Sequence, residues 1–328
     1  MRKQYVILSV ILLIPILYVL SCYRSGHEQI PNKIVFAAKL SSYGLFQGDM
    51  AALIPNKGVQ LLEISSSLFT DYADKQRLLK LPEGSKMIAK GNGLPQFPEG
   101  TLIAKTFFYA RGKEGSKTQL IETRLLLLKD GHWNAATYRW NEQQTDADLF
   151  PEGAFVKVRL QDGNRPFRDI NYKIPAQRDC AACHRVDDRL MPIGPKLENL
   201  NKEIQRNGKR INQLDYLKEL HLLEMKNREV IAVLPDYNDV HLPLDKRARA
   251  YFEMNCAHCH NPAGMAFKQS LNLHFSVPYK ESGIELNKGN ITMRMATMGA
   301  YHMPKIGTTV LHEEGVMLIK AYMDKLAD

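Results

Sequence analysis

Two five-residue stretches constrain this chain more than anything else in it: Cys180-Ala181-Ala182-Cys183-His184 and Cys256-Ala257-His258-Cys259-His260. Two cysteines three apart with histidine next is the arrangement that attaches a c-type haem. One helical turn puts the thiols on neighbouring faces, where each can add across a porphyrin vinyl group. The imidazole that follows then lies under the iron as its proximal ligand. The sequence therefore predicts two covalently attached haem c groups, with Cys180, Cys183, Cys256 and Cys259 as attachment points and His184 and His260 as iron ligands. A tetrathiolate zinc site competes for the same cysteines, but its pairs usually lie about 15–20 residues apart and need no histidine after each. Here the pairs are much further apart and both are followed by histidine. A redox dithiol would need a thioredoxin-like βαβ frame, which neither pair has around it.

The N-terminus supplies the address. Arg2 and Lys3 precede an apolar run from Tyr5 to Leu20, interrupted by Ser9 and Pro15, which matches the charged and hydrophobic regions of a secretory signal. Haem attachment to thiols requires export. Val19-Leu20-Ser21-Cys22 resembles the lipobox of bacterial lipoproteins, which would make Cys22 lipidated and the first mature residue. Of the five cysteines, four sit in the two motifs, so this reading also accounts for the one left over. An uncleaved signal-anchor is the alternative, since a span needs roughly 17–25 apolar residues. Both versions predict a periplasmic protein tethered to a membrane. The net charge of +9 fits an acidic protein partner or an anionic surface. It is too small to argue for nucleic acid, and no basic segment is interleaved with aromatics.

In chain order, residues 1–21 read as the signal and 22–33 as a polar tether. From 34 to 175 the texture is β-rich. Thr101–Tyr109, Gln119–Leu128, His132–Trp140 and Ala154–Leu160 read as strands, with Asp130-Gly131 as a hairpin signal and connections too short for parallel crossovers. After Pro175 helical spacing appears: Ile211, Leu214, Leu217, Leu220 and Leu223 form one stripe, Leu244–His258 reads as a helix, and Glu313–Lys325 as another. The expected fold class is α+β: an N-terminal antiparallel β-rich domain over 34–175, then a first haem-binding region over 176–243 and a helical haem domain over 244–328.

Residues 244–328 resemble a class I cytochrome c, in which a helix entering the haem motif crosses the C-terminal helix through an aromatic pair, here Phe252 and Tyr322. That resemblance implies Met303, in Met303-Pro304, as the distal iron ligand of the second haem, with His302 a rival. Pro192-Ile193-Gly194-Pro195-Lys196-Leu197 is similar to the loop after the motif in those cytochromes, which implies that the Pro195 carbonyl accepts the His184 N–H. For the first haem, Met191, Met225, His221 and His241 all remain open as distal ligands. Phe97–Lys105, then Gly131-His132-Trp133, then a Cys-x-x-Cys-His, is similar in order to the c-prime-beta cytochromes, which implies an open distal site against a sheet. Over nearly the whole exported chain, words such as Lys39–Phe46, Tyr138–Glu142, Arg247–Tyr251 and Asn255–Pro262 resemble a family of bacterial dihaem c-type cytochromes.

The expected function is electron transfer by a membrane-tethered dihaem protein between redox partners, a periplasmic dehydrogenase being one candidate. The alternative is a dihaem enzyme, peroxidase-like or reactive towards small gases, with an open site on the first haem. A third reading makes the β domain a docking module.

Overall fold

Asp130 and Gly131 both take left-handed φ values, 54° and 71°. That is the two-residue turn whose twist matches its flanking strands, and the two longest strands among the described residues run from it. The computed structural model describes residues 34–110, 118–160, 168–268 and 270–326; the expected signal, the tether and Cys22 lie outside them. In chain order the strands are Val59–Leu61 (β1), Asp74–Lys80 (β2), Met87–Ile88 (β3), Leu102–Tyr109 (β4), Gln119–Lys129 (β5), His132–Trp140 (β6), Ala147–Leu149 (β7), Ala154–Leu160 (β8) and Arg168–Ile174 (β9). Later come Arg185–Val186 (β10), Arg189–Leu190 (β11), Glu203–Arg206 (β12), Lys209–Asn212 (β13) and Leu223–Glu224 (β14). The main sheet runs β1-β2-β4-β5-β6-β7, and every pairing in it is antiparallel.

Side chains alternate across this sheet. One face carries Thr106, Thr123 and Trp140, whose indole N–H donates to the Thr123 hydroxyl at 3.0 Å. The other face is divided along its length. At one end Leu79, Ile103, Leu126 and Leu128 pack under Leu197, Leu214 and Leu217. At the opposite end Phe107 and Tyr109 pack under Val158, Ile170 and Tyr172 of the β8–β9 hairpin. Between the two apolar covers the sheet opens into a cavity.

The expected succession of a β-rich domain and helical haem domains is corrected by the structure, which is mostly antiparallel sheet with few, short helices. Cys180–His184 (α1), Leu197–Leu200 (α2) and Gln213–Glu219 (α3) have 5, 4 and 7 residues. Leu244–Asn255 (α4), Ile284–Met295 (α5) and Glu313–Lys325 (α6) have 12, 12 and 13. Ala37–Asp328 is one compact unit. The leucine stripe from Ile211 to Leu223 does not make one helix. Asn207 and Gly208, at φ 51° and 74°, turn a hairpin that holds Lys209–Asn212 as strand, and His221 at φ 59° ends the helical run. Leu223–Glu224 then pairs in parallel with β3.

The loop at residues 66–71 shows how the later chain is bound into the sheet. Ser66 N–H donates to Asn199 Oδ1 (2.9 Å), its hydroxyl to the Pro235 carbonyl (2.7 Å), and Phe69 N–H to Asn255 Oδ1 (2.8 Å). Asp71, fully buried, accepts from Thr309 N–H, the Thr309 hydroxyl and Val310 N–H at 2.6, 2.8 and 3.2 Å. Among the described residues no helix is long and apolar enough to cross a membrane.

Candidate functional site

Cys180, Cys183 and His184 occupy the single turn of α1, and all three line the cavity over the sheet. The Asp179 carboxylate, which accepts the Ala176 N–H at 3.1 Å, fixes the entry to that turn. His184 Nδ1 lies 2.8 Å from the Met191 carbonyl. A carbonyl can only accept, so Nδ1 carries the proton and Nε2 keeps its lone pair. Burial holds this imidazole at about 4, well below its usual range, so it is neutral and competent as a metal ligand at neutral pH. The β10–β11 hairpin brings Met191 back to His184, and the Met191 N–H returns a hydrogen bond to the His184 carbonyl at 2.7 Å. The acceptor expected at Pro195 is thus corrected to Met191, and Pro195 instead lines the cavity wall.

The cavity measures about 1360 Å³ with its open mouth. Two thiols, a neutral imidazole with a free nitrogen and an apolar wall of Ile103, Leu126 and Ala135 share one space, and the donor set fits a haem at the first motif. None of the side chains left open as its distal ligand faces that space. Met225 is buried in the leucine core, Met191 packs beside it, and His221 and His241 are exposed. The cavity is lined instead by Met254 and His258. His258 sits inside the second motif, with a buried Nδ1 that has no hydrogen-bond partner and an imidazole that burial and the neighbouring His184 lower to about 4. Nothing in the linear pattern marks His258 as a site residue, because only the folded contact between the motifs brings it to the cavity.

The second motif is built differently. Helix α4 ends at Asn255, earlier than the expected His258, and residues 256–259 form a turn in which Cys259 N–H and His260 N–H both donate to the Cys256 carbonyl, at 3.1 and 2.9 Å. Phe252 and Tyr322 do meet, edge to face, with ring centroids 6.5 Å apart. Burial pushes the Cys256 thiol up to about 12 and Cys259 to about 11, so neither is a thiolate nucleophile. His260 Nδ1 is buried without a partner. Met303 does not line the cavity of the first motif. It lines a separate pocket of about 270 Å³ with Tyr251, Met295 and His312, which none of Cys256, Cys259 and His260 lines. Its rival His302 has both ring nitrogens engaged, with the Thr297 carbonyl at 2.9 Å and the Thr308 hydroxyl at 3.0 Å.

Gly264 closes the loop after the second motif: a Cβ there would stand 2.4 Å from the Cys259 carbonyl oxygen. Gly264→Ala is therefore expected to destabilise the protein by about 1–3 kcal/mol in urea unfolding, a typical cost of overpacking. It should also loosen the turn that carries Cys256 and Cys259, read as faster hydrogen exchange at Cys259 and His260, while leaving α1 unchanged.

The two motifs touch. Cys259 Sγ lies 3.7 Å from the Ala182 carbonyl, and Asp187 N–H reaches the Ala263 carbonyl at 3.4 Å. Even so, among the described residues no three Cys, His, Asp or Glu side chains converge to hold a metal ion, so the tetrathiolate zinc alternative has no geometry behind it.

A scan against protein-family profiles, a search of curated proteins and a search of solved structures each found no match. Together with the absence of a metal-holding cluster among the described residues, this overturns the resemblance to bacterial dihaem c-type cytochromes and that of residues 244–328 to a class I cytochrome c. The resemblance was carried by short words, and the fold around them is a sheet with short helices rather than a helical haem domain.

Proposed function

We propose that the chain carries haem covalently at its two Cys-x-x-Cys-His motifs and transfers electrons between redox partners as an exported, membrane-tethered protein. The observation that carries this reading is the packing of one motif on the other, with Cys259 Sγ 3.7 Å from the Ala182 carbonyl: two attachment points held side by side make a path between cofactors rather than two isolated sites. Haem, when bound, supplies a reversible one-electron couple. The chain's own residues do the rest at the first motif. His184 offers Nε2 and Met191 fixes the ring, while the apolar wall excludes water. The positive net charge of +9 favours an acidic partner.

Protein matured in a bacterium competent for haem attachment is expected to give two haems per chain by pyridine haemochrome, both reversibly reducible. Colourless protein from such cells overturns the reading. A second reading, a dihaem enzyme open to a small ligand, is favoured by one observation: none of the expected distal side chains faces His184. Carbon monoxide that perturbs one of two haems supports it.

A further inference from the structure

The middle of the cavity wall is cationic in a way that packing does not require. In the sheet register Arg77 of β2 stands directly opposite Lys105 of β4, and Lys105 directly opposite Arg124 of β5. All three side chains line the cavity. Like charges placed directly opposite across strands are destabilising, and desolvation makes them more so. Few acids offset them. Arg124 is held by Glu122 through Nη2 at 2.6 Å and Nε at 3.0 Å, but Glu122 also accepts the Tyr172 hydroxyl at 2.6 Å. Asp179 lines the cavity too, with its carboxylate committed to the Ala176 N–H and 3.9 Å from Lys173. Among the described residues the Arg77 guanidinium hydrogen-bonds only the Lys75 carbonyl, at 3.4 Å. The Lys105 ammonium has the face of Phe107 at 4.8 Å and, among the described residues, no carboxylate within ion-pair distance, Glu122 acting on it only from further off. Burial pushes Lys105 well below the usual lysine range and Arg77 down to about 10, with Arg77, Lys75 and Arg124 adding to the shift on Lys105. Glu122 and Arg124 close on one another, whereas Arg77 and Lys105 are left facing the space.

We propose that this three-strand ladder is an anion site: Arg77 and Lys105, flanked by the Glu122-paired Arg124, receive a carboxylate or small oxyanion bound in the cavity. The inference goes beyond electron transfer and stands on the sheet rather than on the haem reading. Two sources share the chemistry, namely the propionate carboxylates of a haem held at the first motif and a free inorganic oxyanion beside it.

The test compares purified full-length protein with Lys105→Met and, in case that variant folds poorly, Arg77→Gln. Haem is counted by pyridine haemochrome. Nitrite and azide are titrated against the Soret band, with neutral imidazole as control, and the haem potentials are measured. If a free oxyanion is the occupant, the variants bind nitrite and azide at least tenfold more weakly while imidazole binding is unchanged. If the propionates are, anion binding is unmoved and one haem's potential falls, because a cation that disfavoured the oxidised iron has gone. Unchanged anion affinity together with unchanged potentials overturns the proposal. Should the protein carry no haem, the electron-transfer reading fails separately and the ladder is tested by heat. Sulfate is then expected to raise the melting temperature of the wild type above that in chloride at equal ionic strength, and to lose that effect in Lys105→Met. An equal response of both proteins overturns the anion site.

Discussion

On the proposed attachment of haem at both motifs, replacing Cys180 and Cys183 together by serine is expected to halve the haem content, from two per chain to one, with the remaining absorption that of the second motif alone. Both thiols line the same cavity as His184 and stand on one helical turn, so nothing else in the described chain can hold a porphyrin edge there. His184→Ala makes the complementary case. The thioethers survive, so the count stays at two, but the axial nitrogen that Met191 orients is gone and the Soret band of one haem shifts. A covalently held haem stays on the unfolded chain, but it packs against the cavity wall and meets His184 only in the folded one, so the double serine variant, which loses those contacts, should melt lower than the wild type. Intact mass and haemochrome read the first variant, absorption the second. A count of two after the double substitution would place attachment elsewhere, and a shift of both bands in His184→Ala would mean that the two sites are not separately ligated.

Local pattern located the strands and the last helix. The alternation in Leu102–Tyr109, the Asp130-Gly131 turn and the stripe on Glu313–Lys325 each report short-range chemistry, and each element falls within a residue or so of where that chemistry puts it. The fold class failed because a stripe of leucines is ambiguous. Spacing alone could not tell that Asn207-Gly208 would convert Lys209–Asn212 to strand, or that Leu223 would pair with Met87. The partner of His184 escaped for a similar reason, since a hairpin of two-residue strands folded Met191 closer than the more familiar proline. The cationic ladder is partly legible in the sequence. Lys105 stands between Ile103 and Phe107, and Arg124 between Glu122 and Leu126, at inward positions of strands read correctly. A charge at an inward position is a site signal, because burying it unpaired is costly. What no linear reading could supply was the register that sets Arg77, Lys105 and Arg124 in a row, or the contact that turns His258 into the cavity.

The same cavity wall depends on a buried carboxylate outside it. Glu253, only 3% exposed on α4, accepts from the Lys196 ammonium, from the Phe275 N–H at 2.7 Å and from the His274 ring at 3.2 Å. Lys196 directly follows Pro195 of the wall, so this carboxylate ties the loop after the first motif to the helix that leads into the second. Burial alone would raise its pKa, but the His274 and Lys196 interactions outweigh it and hold the carboxyl at about 2, below the ordinary 4.5. A depressed carboxylate pKa gives stability that is complete above the unfolded value and disappears as pH falls through the folded one. The loss therefore sets in below 4.5 and runs towards 2. At about 1.4 kcal/mol per unit it amounts to something on the order of 3 kcal/mol. Glu253→Gln is expected to cost about 3–5 kcal/mol at neutral pH, as breaking a buried pair leaves Lys196 uncompensated, and to flatten the acid limb of the stability curve. Urea unfolding at neutral pH and at about pH 3 measures both effects. Equal acid sensitivity in the wild type and the variant would remove Glu253 as the group responsible. Because Lys196 and α4 border the two motifs, the same substitution should loosen the packing between them, and hydrogen exchange at Ala182 and Cys259 should rise together in the variant.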